Sequence, residues 1–147
     1  MIVQTIMTKK VVTVELDDRL ATVKDIFDNL QFHHLLVVDE GKLFGVLSDR
    51  DLLKALSPNL GTSTESPKDL ATLNKRVHQI MSRNPISLKP EDSVFDAVKI
   101  FNTHRISCIP IIDDDEKPVG IVSWRDILRA FVERPGEFAE LFRSSAS

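Results

Sequence analysis

Two copies of one short motif contain the residues of this chain that are best suited to bind a phosphate or a sugar. Each copy reads glycine, two apolar residues, serine, a variable residue, arginine and aspartate, at residues 45–51 and again at 120–126. A serine hydroxyl can donate to a phosphate oxygen, and an aspartate three positions later has two acceptor oxygens that suit the hydroxyls of a ribose. The arginine can neutralise phosphate charge. These roles fall to Ser48, Arg50 and Asp51, and to Ser123, Arg125 and Asp126.

The same spacing also predicts a helix cap. In a capping box, the serine accepts from the third N–H of the helix and the acidic side chain reaches back to the serine N–H. A cap explains the serine and the aspartate, but it gives no reason for the arginine and the glycine to recur. Duplication alone could also preserve the whole string. Because the motif occurs twice in register, it favours a nucleotide site in at least one copy.

The motif lies inside an internal repeat that covers most of the chain. Matching residues lie 74 positions apart from Val3 and Val77 to Asp39 and Asp113. The offset then becomes 75, because the acidic turn at residues 113–116 carries one additional residue. Ordered matches with one insertion indicate a duplication. The repeat predicts a first unit at residues 1–60, a linker at 61–76, a second unit at 77–134 and a C-terminal tail at 135–147.

Each copy predicts the element order β-α-β-β-α, which is an α/β fold of the α+β type. A short β-rich stretch comes first, and a helix follows for which Asp18 or Asp92 can provide the cap. Two apolar runs joined by an acidic or glycine turn then predict a hairpin, and a second helix closes the copy. The predicted bounds are Val11–Val14 and Ile86–Leu88 for the first stretches, and about Asp49–Leu56 and Trp124–Glu133 for the closing helices.

The segments outside the repeat predict less structure. Residues 57–76 are rich in proline, glycine, serine and threonine, which predicts a loop, with a helix over about 69–77 leading into the second copy. The tail predicts one or two helical turns over 137–142 and a frayed end at residues 144–147.

Composition argues against two classes of partner. The net charge is −3 and the basic residues are scattered, so nucleic-acid binding is not expected. No apolar run approaches the roughly 20 residues that span a bilayer, and the N-terminus lacks the pattern of a signal peptide. We therefore expect no membrane insertion and a cytoplasmic location.

The sequence offers no catalytic group in a recognisable setting. Cys108 is the lone cysteine and lies in an apolar, strand-like run, which predicts a small buried thiol. The chain has no phosphate-binding P-loop, no dinucleotide fingerprint and no cluster with metal-ligand spacing. We therefore expect a protein that is not an enzyme.

The repeat, the element order and both motifs resemble a tandem cystathionine-β-synthase (CBS) domain pair, also called a Bateman module. Residues 80–87 and 109–113 are similar to the opening and central-strand motifs of that family. The resemblance implies two units packed through their sheets about a pseudo-two-fold axis, with ligand clefts between them and no chemistry at the ligand. It also implies a homodimer, with the output exerted on the assembly itself or on a separate effector protein.

The resemblance further implies a regulatory ligand, which is an adenine nucleotide (AMP, ADP or ATP), with S-adenosylmethionine ranked behind. By resemblance, the two motif aspartates would hold ribose hydroxyls and the two motif serines would contact phosphate. Some adenylate-binding relatives carry a basic pair facing phosphate where the first copy has two histidines, whereas the second copy has Ser107 and Cys108 there. The remaining residues that the resemblance places in the clefts are Thr13, His33, His34, Ser87 and Arg105.

Several alternatives stay open at this stage. Each histidine could instead cap carbonyls at a helix–strand junction, and a metal site at His33 and His34 is disfavoured because adjacent strand residues point to opposite faces. Trp124 could stack on a base or lie in a core or interface. The whole chain could also be a ligand-free dimerisation or scaffold module in which both motifs are only helix caps.

Overall fold

The computed structural model describes residues 1–145, with side chains through residue 144, and the chain divides into two compact units. The first-repeat unit is Val12–Pro85. The second-repeat unit combines Met1–Val11 with the chain from Ile86 onward. Each unit therefore takes its opening segment from the other repeat. The boundaries predicted above divide the duplicated sequence, whereas the compact units are assembled across them.

The first-repeat unit is built on a four-stranded sheet in the order β1-β2-β3-β4. Strand β1 is parallel to β2, and the other neighbours are antiparallel. Glu40 and Gly41, both with positive φ, form the tight turn of the predicted hairpin. Alternate residues turn one sheet face toward a core that includes Val14, Leu35 and Leu47. The bounds are Thr13–Glu15, His34–Asp39, Lys42–Ser48 and Ser82–Arg83.

Three helices complete this unit: α1 (Leu20–Asn29), α2 (Asp49–Ala55) and α3 (Pro67–Leu70). The predicted capping role of Asp18 is wrong. Its Oδ2 accepts from the backbone N of Glu15 at 2.7 Å, so the carboxylate closes the turn before the helix instead.

The predicted loop between the repeats is partly ordered. Helix α3 is followed by 3₁₀ turns at Ala71–Asn74 and Val77–Gln79. Ser57 Oγ donates to Asp69 Oδ1 at 2.7 Å, which ties the start of this segment to α3. Helical structure thus begins earlier than predicted and is broken into short pieces.

The second-repeat unit has the same plan with less regular strands. Strands β5 (Cys108–Ile112) and β6 (Pro118–Ser123) are antiparallel, and the predicted strand Ile86–Leu88 is reduced to a single parallel bridge between Leu88 and Ile111. Thr8 pairs with Ile121 on the other side, as Ser82 pairs with Val46 in the first-repeat unit. The order β-α-β-β-α is thereby confirmed in both repeats.

The helices of the second-repeat unit are α4 (Val94–Thr103), α5 (Trp124–Glu133) and α6 (Pro135–Ser145). Asp92 was predicted to cap α4, but the cap is Ser93, whose Oγ accepts from Phe95 N at 3.1 Å. Helix α6 is longer than the predicted 137–142, and its Phe138 is buried in the core of this unit. Fraying was predicted from Ser144, yet Ser144 and Ser145 are helical; Ala146 and Ser147 lie outside the described residues.

Candidate functional site

Both motifs form the same helix cap. Ser48 Oγ accepts from Asp51 N at 3.1 Å, and Asp51 Oδ2 accepts from Ser48 N at 2.9 Å. In the second copy, Ser123 Oγ accepts from Asp126 N at 3.4 Å and Asp126 Oδ2 accepts from Ser123 N at 2.8 Å. The capping interpretation is therefore confirmed in both repeats. A cap uses one carboxylate oxygen, so it does not by itself exclude a ligand at the other.

The recurring glycine has a packing reason. A Cβ atom on Gly45 would collide with Met81, and one on Gly120 would collide with Met7. In each unit the opening segment pairs with the glycine strand beside this point, so a side chain on the glycine would meet its methionine. The glycine is therefore explained without a ligand.

The recurring arginine has no such reason in the fold. Arg50 and Arg125 are both exposed, and neither guanidinium forms a hydrogen bond or ion pair within residues 1–144. An exposed arginine at the start of a capped helix is able to meet an anion. The arginine is thus the part of the motif that capping and packing leave unexplained.

The first-repeat unit brings several predicted residues to one sheet face. Thr13 pairs with Leu36, and His34 pairs with Ser48 across β2 and β3. Because alternate strand residues share a face, Thr13, His34 and Ser48 lie on the face opposite the core of the unit. Asp51 follows in the first turn of α2.

His33 belongs to the edge of this group. Its Nδ1 lies 3.0 Å from Asp49 Oδ2 and its carbonyl accepts from Asp49 N at 3.1 Å, while most of the ring is exposed. The predicted alternative was a histidine that caps carbonyls at a helix–strand junction, whereas the His33 ring contacts a carboxylate.

The charge on this face is mixed rather than basic. Burial lowers the pKa of His34 below 6.5; Asp49 and Asp51 oppose that shift, and His33 adds to it. His34 is therefore neutral at pH 7 and can accept or donate one hydrogen bond without supplying a positive charge. Arg50 is the basic residue of the motif, and it stands between the acidic residues Asp49 and Asp51 in the sequence.

The aspartate of the second-repeat motif has different surroundings from that of the first. Asp126 is only 3% exposed, and its Oδ1 accepts from Thr8 Oγ1 at 3.1 Å and from Arg129 Nη2 at 2.6 Å. Sequence reasoning missed both partners. Arg129 lies three residues after Asp126 on the same helix, and because residues at this spacing are neighbours, the sequence could have indicated this partner. Thr8 lies 118 positions from Asp126, so no local sequence pattern indicated it.

The position equivalent to His34 is Cys108, which pairs with Ser123 as His34 pairs with Ser48. The predicted buried thiol is confirmed, and burial raises its pKa to about 12, so it stays protonated. A buried thiol cannot take the place of a polar imidazole toward a ligand.

The other predicted residues of this unit are spread around the same sheet. Ser87 is half-buried just before the bridge at Leu88, and Arg105 is exposed ahead of β5. Trp124 packs its ring 5.7 Å from that of Phe101 and donates from Nε1 to the Ile106 carbonyl at 3.4 Å, yet it remains 55% exposed.

Two kinds of feature are absent from residues 1–145. No group of three or more histidine, cysteine, aspartate or glutamate side chains there is arranged to hold a metal ion. None of the helices in that range combines the length and apolar character needed to cross a bilayer.

Two β-α-β-β-α units with exchanged openings and a capped serine–aspartate motif define a tandem-repeat α/β module. The chain belongs to the CBS domain family, whose sequence pattern matches residues 3–58 and 77–133. It is a tandem CBS domain pair, or Bateman module.

Known proteins of similar length share this organisation. A CBS domain-containing protein of Dictyostelium discoideum is 30% identical over 134 residues, which are 90% of this chain and 92% of that protein. The CBS domain pair of protein MJ0100, in complex with 5′-methylthioadenosine and S-adenosyl-L-methionine, is 30% identical with a TM-score of 0.72, over 89% of this chain and 99% of that one.

A more distant structure shares the fold: CBSX2 in complex with AMP is 22% identical with a TM-score of 0.73, over 90% of this chain and 96% of that one. Other curated relatives are longer, and this chain spans 40% of one and 23% of another.

Proposed function

We propose that this CBS pair is a non-catalytic regulatory module that binds an adenosine-containing ligand and signals through contacts of a dimer or with a separate effector protein. The observation that carries the proposal is the group formed by Thr13, His34 and Ser48 on one sheet face, beside Asp51 and the exposed Arg50. The adenosyl ligands of the MJ0100 pair support the choice of ligand class.

The proposed roles follow from the chemistry of each group. Asp51 accepts from the ribose hydroxyls, Ser48 and Arg50 face the substituent on the ribose 5′ carbon, and Thr13 lines the approach. The nucleotides AMP, ADP and ATP remain candidates. Since His34 is neutral and two carboxylates lie nearby, uncharged or cationic adenosyl compounds such as 5′-methylthioadenosine and S-adenosylmethionine are equally well accommodated.

The dimer is proposed from an exposed apolar face on α5. Trp124, Leu128, Phe131 and Val132 lie at i, i+4, i+7 and i+8 of one helix and are 55%, 60%, 56% and 76% exposed. A stripe of this kind on a helix is unusual for a surface in water. We assign it to a second copy of this chain, because a two-fold pairing lets one apolar patch cover its own equivalent.

One observation favours a second candidate, the ligand-free dimerisation or scaffold module. Both aspartates already serve as helix caps, which is the state that this alternative requires. It predicts no stabilisation by any adenosine compound.

Thermal unfolding of the nucleotide-free protein distinguishes the ligand-binding module from the ligand-free scaffold. Saturation at about one hundred times the dissociation constant adds about 2.7 kcal/mol, which corresponds to a rise in Tm of about 5–10 °C. We expect such a rise with an adenosine compound and none with GMP. Asp51→Ala should remove the rise relative to its own ligand-free Tm, whereas Asp17→Ala, a matched change of an exposed carboxylate in the same unit, should keep it. If AMP, ADP, ATP, 5′-methylthioadenosine and S-adenosylmethionine all leave the Tm unchanged, the scaffold role is correct.

A further inference from the structure

The carboxylate of Asp126 is fully engaged by its own unit. Ser123 donates to Oδ2 from its backbone N at 2.8 Å and from Oγ at 3.1 Å, while Thr8 and Arg129 donate to Oδ1. Both oxygens are thereby satisfied in a group that is 3% exposed. The Arg129 guanidinium also compensates the buried charge.

The equivalent residues in the first-repeat unit differ at both outer positions. By the repeat offsets of 74 and 75, Thr8 corresponds to Ser82 and Arg129 corresponds to Lys54. Ser82 and Lys54 are both exposed, and Asp51 is itself only half-buried. The cap at Asp51 engages Oδ2. The duplicated motif has therefore diverged in what surrounds the aspartate, although its glycine, serine, arginine and aspartate are the same in both copies.

Thr8 also connects two segments that are distant in the sequence. Its backbone pairs with Ile121 in both directions, at 2.8 and 2.9 Å, and its hydroxyl reaches α5 through Asp126. This hydroxyl joins the opening segment 1–11 to a helix that lies more than one hundred residues later in the sequence. A ribose at Asp126 would have to displace both Thr8 and Arg129 from Oδ1, leaving these part-buried hydrogen bonds unmade.

We infer that Asp126 is a structural lock that holds the opening segment against α5, and that Asp51 is the ribose-binding carboxylate of this chain. The inference deepens the proposed function and rests on it for the ligand. It assigns one adenosyl ligand to each chain, in the first-repeat unit, and gives Thr8 and Arg129 a structural role. In the second repeat, the buried Cys108 stands where the first repeat has His34, and this also favours Asp51 over Asp126 as the ribose-binding residue.

Calorimetric titration of the nucleotide-free chain with 5′-methylthioadenosine and with AMP tests the ligand part. We expect one molecule per chain, a loss of affinity of about tenfold or more in Asp51→Asn, and affinity within about twofold of wild type in Asp126→Asn. Two molecules per chain, or loss of binding in Asp126→Asn while its Tm is retained, would overturn the assignment.

Matched removal of one hydroxyl tests the lock without any ligand. Thr8→Val keeps the shape of the side chain and should lower the Tm, whereas Ser82→Ala, at the equivalent position, should leave it nearly unchanged. Equal effects of the two variants on the Tm would refute the lock. If Asp126→Asn fails to fold, Thr8→Val takes its place in the titration. If the wild-type protein binds neither compound, the ligand proposal and the assignment of the ribose site to Asp51 fail together. The comparison of Thr8→Val with Ser82→Ala then still shows whether Asp126 is a structural lock.

Discussion

Gly45 lies so close to Met81 that no side chain fits between them. A Cβ atom at position 45 would stand 2.8 Å from Met81 Sδ and 2.8 Å from the backbone carbonyl oxygen of Ser82. Met81 and Ser82 belong to the second repeat in sequence but to the first-repeat unit in space. The glycine therefore marks the point at which the exchanged opening segment packs against β3.

Gly45→Ala should lower the free energy of unfolding by about 1–3 kcal/mol, because the methyl group would press on backbone that cannot move aside cheaply. Gly120→Ala should cost less, since the atoms in its way belong to the flexible Met7 side chain. Urea unfolding measures both. Gly136→Ala, which has open space around it, is the control; a value for Gly45→Ala equal to this control would show that the close approach is not important.

Cys108 should be unreactive in the folded protein. With a pKa raised to about 12, about one thiol in ten thousand is ionised at pH 8. We expect almost no reaction with a disulfide reagent in buffer and full reaction in urea. Rapid labelling of native protein would mean that the strand is not buried as described.

His34 should make stability depend on pH in a defined direction. Its folded pKa lies below the ordinary 6.5, so the unfolded chain binds a proton more readily. The free energy of unfolding should therefore fall as the pH is lowered from about 6.5 through the folded-state pKa. His34→Gln should flatten this part of the profile. The slope between pH 7 and pH 5 in urea unfolding is the measurement, and an unchanged slope in His34→Gln would contradict the burial of this ring.

The apolar face of α5 should control self-association. Leu128→Glu places a charge in the centre of that face and should convert the proposed dimer to a monomer in sedimentation. Leu53→Glu is the matched control, because Leu53 is the equivalent residue of the first repeat and is 73% exposed without a similar apolar stripe around it. A monomeric wild type, or dissociation by both variants alike, would argue against this interface.

Asp49 should bias the site against phosphate. It lies beside the predicted phosphate contacts, and its removal in Asp49→Asn should raise the affinity for AMP by about two- to fivefold, the scale of a single partly exposed charge interaction. Binding of 5′-methylthioadenosine, which has no phosphate, should not change. Competition titration of the two compounds gives both values. A parallel change for both ligands would mean that Asp49 acts on the fold rather than on charge.

Much of the fold was predictable from local pattern. The hairpin at Glu40 and Gly41 and the closing helix Trp124–Glu133 follow from turn chemistry and apolar spacing, which act over a few residues. Helix caps that depend on competing local hydrogen bonds were harder to predict. Asp18 was predicted as a cap, yet its carboxylate accepts from the backbone N of Glu15, and the N-cap of the helix is Arg19, which makes no side-chain cap hydrogen bond.

The sequence by itself determined the duplication, the two Ser-x-x-Asp caps and the buried character of Cys108, because each depends on neighbours in the chain or on hydrophobicity alone. Only the tertiary structure decided that the opening segments are exchanged between the units, so that Thr8 reaches Asp126 while Ser82 stays exposed. The two aspartates look identical in the motif. What distinguishes them is their contacts with side chains outside the motif, including Thr8, which is distant in sequence and adjacent only after folding.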